Sequence, residues 1–315
     1  MNENDNEIAE GTPLAAPDDR MRCGFVAIVG APNAGISTLL NSLVGTKVSI
    51  VTHKAHTTRA QIRGVVTEGD GQIVFMDTPG IFAPKRRLDR AMVEAAWSGA
   101  GDADFVAFII DAEKGVTPEI EALLEGLEKI PHPKVLILNK VDLLKREKLL
   151  ALAEALNARL GFEATFMISA LKGDGVRDFL DWTLQRIPLG PWHFPEDQLT
   201  DLTLALTAAE VTREKLFLRI HDEIPYNATV ETEKFTVQKD GSYRIDQVVY
   251  VTRETHKKIV LGAGGQTIKA IGADARKELM EMYEVPVHLF LFVKVREKWG
   301  EDPERYREMG LEWTK

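Results

Sequence analysis

A single cysteine, Cys23, stands among 315 residues, so no internal disulfide framework is available and a reducing compartment suits the chain. Just ahead of an apolar run, Cys23 reads as a small residue at a core edge. No apolar stretch nears the roughly 20 residues that a bilayer-spanning helix needs. Residues 1–20 are acidic, polar and broken by proline, the reverse of a secretion signal's basic start and apolar middle; they read as a disordered tail. Excess positive charge is also missing. The formal net charge of −9 excludes a generally cationic coat for nucleic acid and leaves local basic patches open. The seven histidines lack metal-ligand spacing, and His53 with His56 is not on a zinc-site helix. There is no internal repeat and no low-complexity tract.

What is present is ample apolar material, 44% of the chain, enough for two domains at about 150 residues each. Continuous apolar runs at Phe25–Val29, Ile73–Met76, Phe105–Ile110, Val135–Leu138 and Thr165–Ile168 alternate with helix-length stretches at Thr117–Ile130, Lys145–Leu160 and Val176–Ile187. Strands without polar alternation are buried on both faces, so this order predicts an α/β, doubly wound, mostly parallel sheet. The breakers Pro188, Gly190, Pro191 and Pro195 end it. A smaller α+β unit follows: a helix over Leu202–His221, a hairpin of Ala228–Val237 and Tyr243–Val251 around Asp240-Gly241, the run Lys257–Leu261, a helix over Gln266–Tyr283 and an alternating strand Val287–Val295. The expected boundaries are a tail to 20, a first domain over 21–189, a linker over 190–200, a second domain over 201–296 and a terminal tail over 297–315.

The segment GAPNAGIST, Gly30-Ala31-Pro32-Asn33-Ala34-Gly35-Ile36-Ser37-Thr38, leaves the first strand and enters a helix. Such a loop aims successive main-chain N–H groups, and the positive end of the helix dipole, at a phosphate. Ser37 is placed to ligate Mg²⁺. Asp77-Thr78-Pro79-Gly80 follows the second run, setting a carboxylate where it reaches Mg²⁺ through water and the Gly80 N–H near a terminal phosphate. Asn139-Lys140-Val141-Asp142 follows another. There Asp142 can accept two hydrogen bonds from guanine that adenine cannot offer, worth a selectivity of roughly 10⁴. Lys140 can lay its stem over the base, and the Ala170 N–H of Ser169-Ala170 can donate to guanine O6.

With Lys54-Ala55-His56-Thr57-Thr58-Arg59 and the second unit, this ordered set resembles the Era GTPases, a translation-factor-class family, over nearly all of the chain after the tail. The resemblance implies a P-loop GTPase domain, GTP or GDP with Mg²⁺ held by Ser37, Thr58 and Asp77, and Thr58 as the switch threonine, with Thr57 the alternative. It implies a second switch from Ile81 through Lys85-Arg86-Arg87. Ile81 replaces the water-orienting glutamine of other GTPases, so hydrolysis is expected to be slow. It also implies a cytoplasmic, monomeric protein that binds the single-stranded 3′ end of small-subunit rRNA and the 30S subunit, and it allows peripheral membrane contact, for which the sequence has no anchor.

One position departs. Family members carry lysine where this chain has Ile36. That ammonium bridges the β- and γ-phosphates, and removing one member of a buried charge-assisted pair costs about 2–5 kcal/mol. The loop's amides and Ser37 do not need it, so binding and catalysis are separable. Three readings follow: a member with weakened nucleotide use, a substitution in an otherwise ordinary GTPase, or a cation such as Lys54, Lys85 or Arg86 swinging in. A non-enzymatic RNA-binding scaffold is the rival function.

In the second unit, Ile259-Val260-Leu261-Gly262-Ala263-Gly264-Gly265-Gln266-Thr267-Ile268-Lys269 carries the G-x-x-G turn of a KH domain, of type II by its order of elements. The turn can approach a sugar-phosphate backbone, and the adjoining groove holds about four unpaired nucleotides. Lys257, Lys258, Lys269, Arg276 and Lys277 supply local charge. Trp299, Tyr306 and Trp313 are expected to pack a terminal helix onto this domain, with stacking on RNA as the alternative.

Overall fold

The computed structural model describes residues 20–54, 57–59, 61–84, 86–221, 223–297 and 299–313. The expected tail, apart from Arg20, lies outside the described residues, as do Ala55, His56 and Lys85.

The first domain runs β1 (Arg22–Gly30), α1 (Ile36–Val44), β2 (Ile62–Glu68), β3 (Gly71–Asp77), α2 (Arg87–Asp102), β4 (Phe105–Asp111), α3 (Pro118–Leu127), β5 (Lys134–Asn139), α4 (Arg146–Arg159), β6 (Ala164–Ile168) and α5 (Val176–Leu184). Its six strands lie in the order β2-β3-β1-β4-β5-β6. All neighbours are parallel except β2, which runs against β3. Successive residues of β1 serve opposite cores: Val26 and Ile28 pack with α1 and α5, whereas Ala27 and Val29 pack with α2, α3 and α4. Burial on both faces explains why the strands read as unbroken apolar runs. The chain leaves β1 for β3 on one side and β4 on the other, so the sheet's topological switch point, where such folds bind ligands, lies at the C-terminal end of β1.

Two first-domain elements had no sequence expectation. In β2, Arg63 and Gly64 interrupt the apolar run, and the strand forms because it is an edge; Gly64 is needed there, since a Cβ would lie 2.5 Å from Leu40 Cδ1. The helix α2 buries small residues, Ala91, Ala96, Gly99 and Ala100, a stripe too weakly hydrophobic to announce itself.

The second domain comprises α6 (Leu204–Arg219), β7 (Ala228–Val237), β8 (Tyr243–Val251), α7 (Glu254–Leu261), α8 (Gln266–Tyr283) and β9 (Val287–Val295), followed by α9 (Pro303–Glu308). Its sheet has the order β7-β8-β9, with β7 and β8 antiparallel and β8 and β9 parallel. Gly241 takes the positive φ (83°) that the hairpin turn requires. Lys257–Leu261 forms the second half of helix α7.

Residues 189–200 are pinned to the first domain. Gln72 Oε1 accepts from the His193 and Phe194 amides at 2.9 and 3.0 Å, and Val65 N donates to Leu199 O at 2.9 Å. The terminal segment departs from expectation. Tyr306 and Leu311 are buried against Ala91 and Met92 of α2, and Trp313 packs on the same cluster, so most of the tail covers the first domain. The face of α2 turned from the sheet supplies an apolar stripe that needs a cover. The segment also reaches the second domain: Trp299 donates from Nε1 to Asn227 O at 3.1 Å, and Arg305 of α9 pairs with Glu231 and lies over the Tyr250 ring.

Candidate nucleotide site and RNA-facing turn

Gly35 caps α1 at φ 105°, a conformation open to glycine, and a Cβ there would sit 2.2 Å from Asn139 Nδ2. A Cβ on Gly30 would strike Ile109 O at 2.5 Å, and one on Gly80 would meet the Pro32 backbone at 2.9 Å. The loop is thus wedged between the ends of β3, β4 and β5. Ile81 N donates to Gly30 O at 2.9 Å, and Thr78 Oγ1 to Ile28 O at 2.7 Å, which fixes the Asp77–Gly80 segment, with Pro79 buried, against β1.

Asp77 is fully buried. Its Oδ2 accepts from Ser37 Oγ at 2.8 Å and Ser49 Oγ at 2.6 Å, while its Oδ1 has no hydrogen-bond partner. Burial, opposed by the two serine hydrogen bonds, pushes its carboxyl up to about 6. Thr58 Oγ1 lies 3.0 Å from Ser37 Oγ, whereas Thr57 Oγ1 turns away to Lys54 O at 2.7 Å. Three oxygen-bearing side chains with one orphaned buried carboxylate oxygen fit a small hard cation such as Mg²⁺. Ser49, which belongs to no motif, was missed by sequence reasoning.

Asn139 joins three loops. Its Nδ2 donates to Ala34 O at 2.8 Å, and its Oδ1 accepts from Ala170 N at 3.0 Å. The Ala170 amide expected at guanine O6 is therefore held by Asn139 in this structure. Lys140 Nζ reaches Asn33 O at 3.0 Å and Asp111 Oδ2 at 2.6 Å. Asp111 was also missed, although a carboxylate ending β4 was a readable signal. The Ser169 hydroxyl and the Lys172 ammonium hold the Asp142 carboxyl below the usual carboxylate range. A cavity of about 460 Å³ opens over the loop, walled by Pro32, Ile36, Ser37, Thr38, Thr58 and Asp77 among others. Asn139, Asp142, Ser169 and Ala170 are outside its wall, and Asn139 ties Ala170 to the Ala34 carbonyl of the loop. Ile36 is 7% exposed and shares the core with Leu39 and Leu40. Ile81 is likewise buried and offers no polar group to a water.

In the second domain the G-x-x-G turn links α7 to α8. Gly262, Gly264 and Gly265 have φ of 73°, 60° and 77°, and a Cβ on Gly262 would collide with Thr267 Oγ1 at 2.1 Å. The glycines let the chain reverse between helices while α8 presents its N-terminal amides. Lys258, Lys269 and Arg276 are exposed and Lys257 is half-buried; Leu261 and Ile268 are partly buried, Ile268 against the domain core. Ile259, the first residue of the KH-like stretch, is exposed on α7.

A family profile described as a 50S ribosome-binding GTPase matches residues 25–140, and one described as a KH domain matches residues 223–300. The GTPase Era of Rhizobium meliloti (strain 1021) is 62% identical over 294 residues, spanning 93% of this chain and 94% of its own length. The chain belongs to the Era GTPases. Era of Agrobacterium fabrum is 57% identical over 315 residues, spanning 100% of this chain and 98% of its own. A crystal structure of Era with MgGDPNP and nucleotides 1506–1542 of 16S ribosomal RNA has a TM-score of 0.87 at 38% identity, covering 92% of this chain and 99% of that one. A variant of Aquifex aeolicus Era bound to GDP·AlF4⁻ gives the same values.

In this Era chain the residues around Thr58 hold the second domain. Lys54 Nζ donates to the carbonyls of Phe217 and Ile220, at the negative end of α6. Arg59 donates to Ala228 O at 2.8 Å and Pro225 O at 3.0 Å, lying between the rings of Phe217 and Trp299. Burial, with Arg213 nearby, pushes the Arg59 pKa down. Lys47 pairs with Glu214 and Glu278, and Arg86 Nη1 donates to Asn227 Oδ1 at 3.0 Å. Two of the three cations named as stand-ins at the P-loop, Lys54 and Arg86, are thus committed to the second domain, and Lys85 lies outside the described residues. No helix among the described residues is long and apolar enough to cross a membrane.

Proposed function

We propose that this chain is a guanine-nucleotide-regulated RNA-binding protein that acts in assembly of the small ribosomal subunit. In this reading GTP or GDP sits over Gly30–Thr38, Mg²⁺ is held by Ser37, Thr58 and, through water, Asp77, and Asp142 reads the guanine edge. Single-stranded RNA of the small-subunit 3′ end lies along the Gly262–Gly265 turn, with Lys257, Lys258, Lys269 and Arg276 against its phosphates, and the protein reaches the 30S subunit through it. The observation that carries the reading is the meeting of Ser37, Thr58 and an unpartnered Asp77 oxygen at the phosphate loop. Bound Mg²⁺ would neutralise charge on the β- and γ-phosphates. The protein's part is to seat the phosphates on main-chain amides and to close Thr58 over them, with Gly80 N–H facing the terminal phosphate.

Regulation follows from shared residues. Thr58 faces the nucleotide while Lys54 and Arg59, four residues before it and one after, grip the second domain. A ligand that favours one position of Thr58 therefore biases the other grip, which is the differential contact a two-state switch requires. Hydrolysis is weakened on two counts: Ile36 supplies no ammonium to the charge that develops between the phosphates, and Ile81 orients no water.

Titration with a fluorescent GDP under excess ATP, then single-turnover GTP hydrolysis, tests this reading beside an Ile36→Lys variant. Retained GDP binding that ATP does not displace, and an affinity gain of about thirty-fold or more with lysine restored, are expected. Absence of guanine-nucleotide binding in both proteins would overturn it. The side chain of Ile36 favours a second reading, an RNA-binding assembly factor whose first domain no longer uses GTP; GDP binding by the Ile36→Lys variant alone would select it.

A further inference from the structure

Among the described residues, three lysines border the cavity over the phosphate loop, Lys54, Lys114 and Lys140. Lys54 directs its ammonium to the carbonyls of Phe217 and Ile220, and Lys140 to Asp111 and Asn33 O. Lys114 differs. It comes from the loop after β4, immediately before Gly115, whose φ of 65° turns the chain. Its side chain is 57% exposed, and its distance to Asp111 Oδ2 is 3.9 Å, an oxygen that Lys140 already holds at 2.6 Å. Its charge also reaches the exposed Glu119. Lys114 also borders an adjoining cavity with Ala31, Pro32 and Ala34, so its side chain runs beside the phosphate loop itself.

We propose that Lys114 turns onto the phosphates of bound guanine nucleotide and replaces, in part, the cation missing at position 36. The proposal rests on the nucleotide-binding reading above. A lysine carries a compact charge on a four-carbon stem with rotatable bonds, so a side chain anchored beside the loop can redirect its ammonium without moving the backbone. Release from Asp111 costs little, because that carboxylate keeps Lys140. Lys114 approaches from the outer wall and stays exposed, so its contribution is smaller than that of a buried lysine and is screened by salt.

The test is fluorescent-GDP affinity in a double-mutant cycle of Ile36→Lys and Lys114→Gln, with Lys114→Arg as the charge-retaining variant. Lys114 is exposed, and far-UV circular dichroism verifies that each variant folds. In the Ile36 chain at low salt, Lys114→Gln is expected to weaken binding about tenfold, with Lys114→Arg close to the parent and the loss shrinking at high salt. In the Ile36→Lys background the same change costs less than about twofold, because the site is already supplied. An equal loss in both backgrounds, or none in the Ile36 chain, would overturn the proposal while leaving nucleotide binding intact. An Ile36 chain that binds no fluorescent GDP would instead remove the underlying reading, and Lys114 with it.

Discussion

At the mouth of the first sheet, Asp77 and Asn139 are buried and tied to other segments by short hydrogen bonds; around Gly262 the basic side chains stand largely in solvent and the backbone turn carries the shape. The contrast follows from what each site has to recognise. Telling guanine from adenine takes a carboxylate held in place, and Asp142, although exposed, is held by the Ser169 hydroxyl and the Lys172 ammonium beside the loop that Asn139 ties down. Holding a flexible phosphate backbone takes close approach and positive charge, which mobile lysines provide at the cost of salt sensitivity. The first site should therefore fail sharply when one atom changes, and the second by degrees.

Asp142→Asn carries the largest expected effect: GDP's advantage over ADP should fall on the order of 10³-fold, read by competition against fluorescent GDP, with RNA affinity unchanged. A retained guanine preference would place base reading elsewhere than on this carboxylate. Arg59→Met comes next. Its guanidinium is buried between two rings with carbonyl partners from the second domain, and losing these charge-assisted hydrogen bonds should lower stability by about 2–3 kcal/mol, measured by denaturant unfolding. An unchanged midpoint would mean that the domains do not rely on this grip.

Lys269→Gln sharpens the other half of the comparison. It should weaken binding of a short single-stranded RNA several-fold and reduce the salt slope by about one, with GDP affinity unmoved. A loss confined to one RNA sequence would argue for base reading there instead. The smallest effect concerns Glu278, whose burial opposes its charge but is outweighed by Lys215 and Lys47, so that its carboxyl titrates below the ordinary 4.5. A carboxyl depressed in the folded state adds stability that is complete above about pH 4.5 and drains away as pH falls through the folded value. Melting curves from pH 7 to pH 3 should show the parent losing more stability than Glu278→Gln over that acid range; parallel curves would deny the pairing any role between the domains.

The comparison also separates what was readable in the chain. The strands at Phe25, Ile73, Phe105, Val135 and Thr165 were legible because burial on both faces leaves unbroken apolar runs, and the hairpin because Asp240-Gly241 permits its turn. β2 was not, since Arg63 and Gly64 break its pattern and pairing with β3 supplies the order that local preference lacks. α2 was hidden because it packs through alanine and glycine. Among site residues, those in loops with a fixed order of polar groups could be named, whereas Ser49 could not, for nothing in Val48-Ser49-Ile50 signals that its hydroxyl meets Asp77 across the site.

By itself the sequence determined the order of the Gly30–Thr38, Asp77–Gly80 and Asn139–Asp142 segments along the chain, the glycine turn of the second domain and the absence of an ammonium at Ile36, because each depends on residue type at short spacing. Only the tertiary structure decided that Asn139 holds the Ala170 amide, that Lys54 and Arg59 grip the second domain, that the terminal aromatics cover α2, and that Lys114 stands beside the phosphate loop. Those are contacts between segments far apart in the chain. They depend on how the sheet, its helices and the second domain are placed in space, which no local pattern of residues encodes.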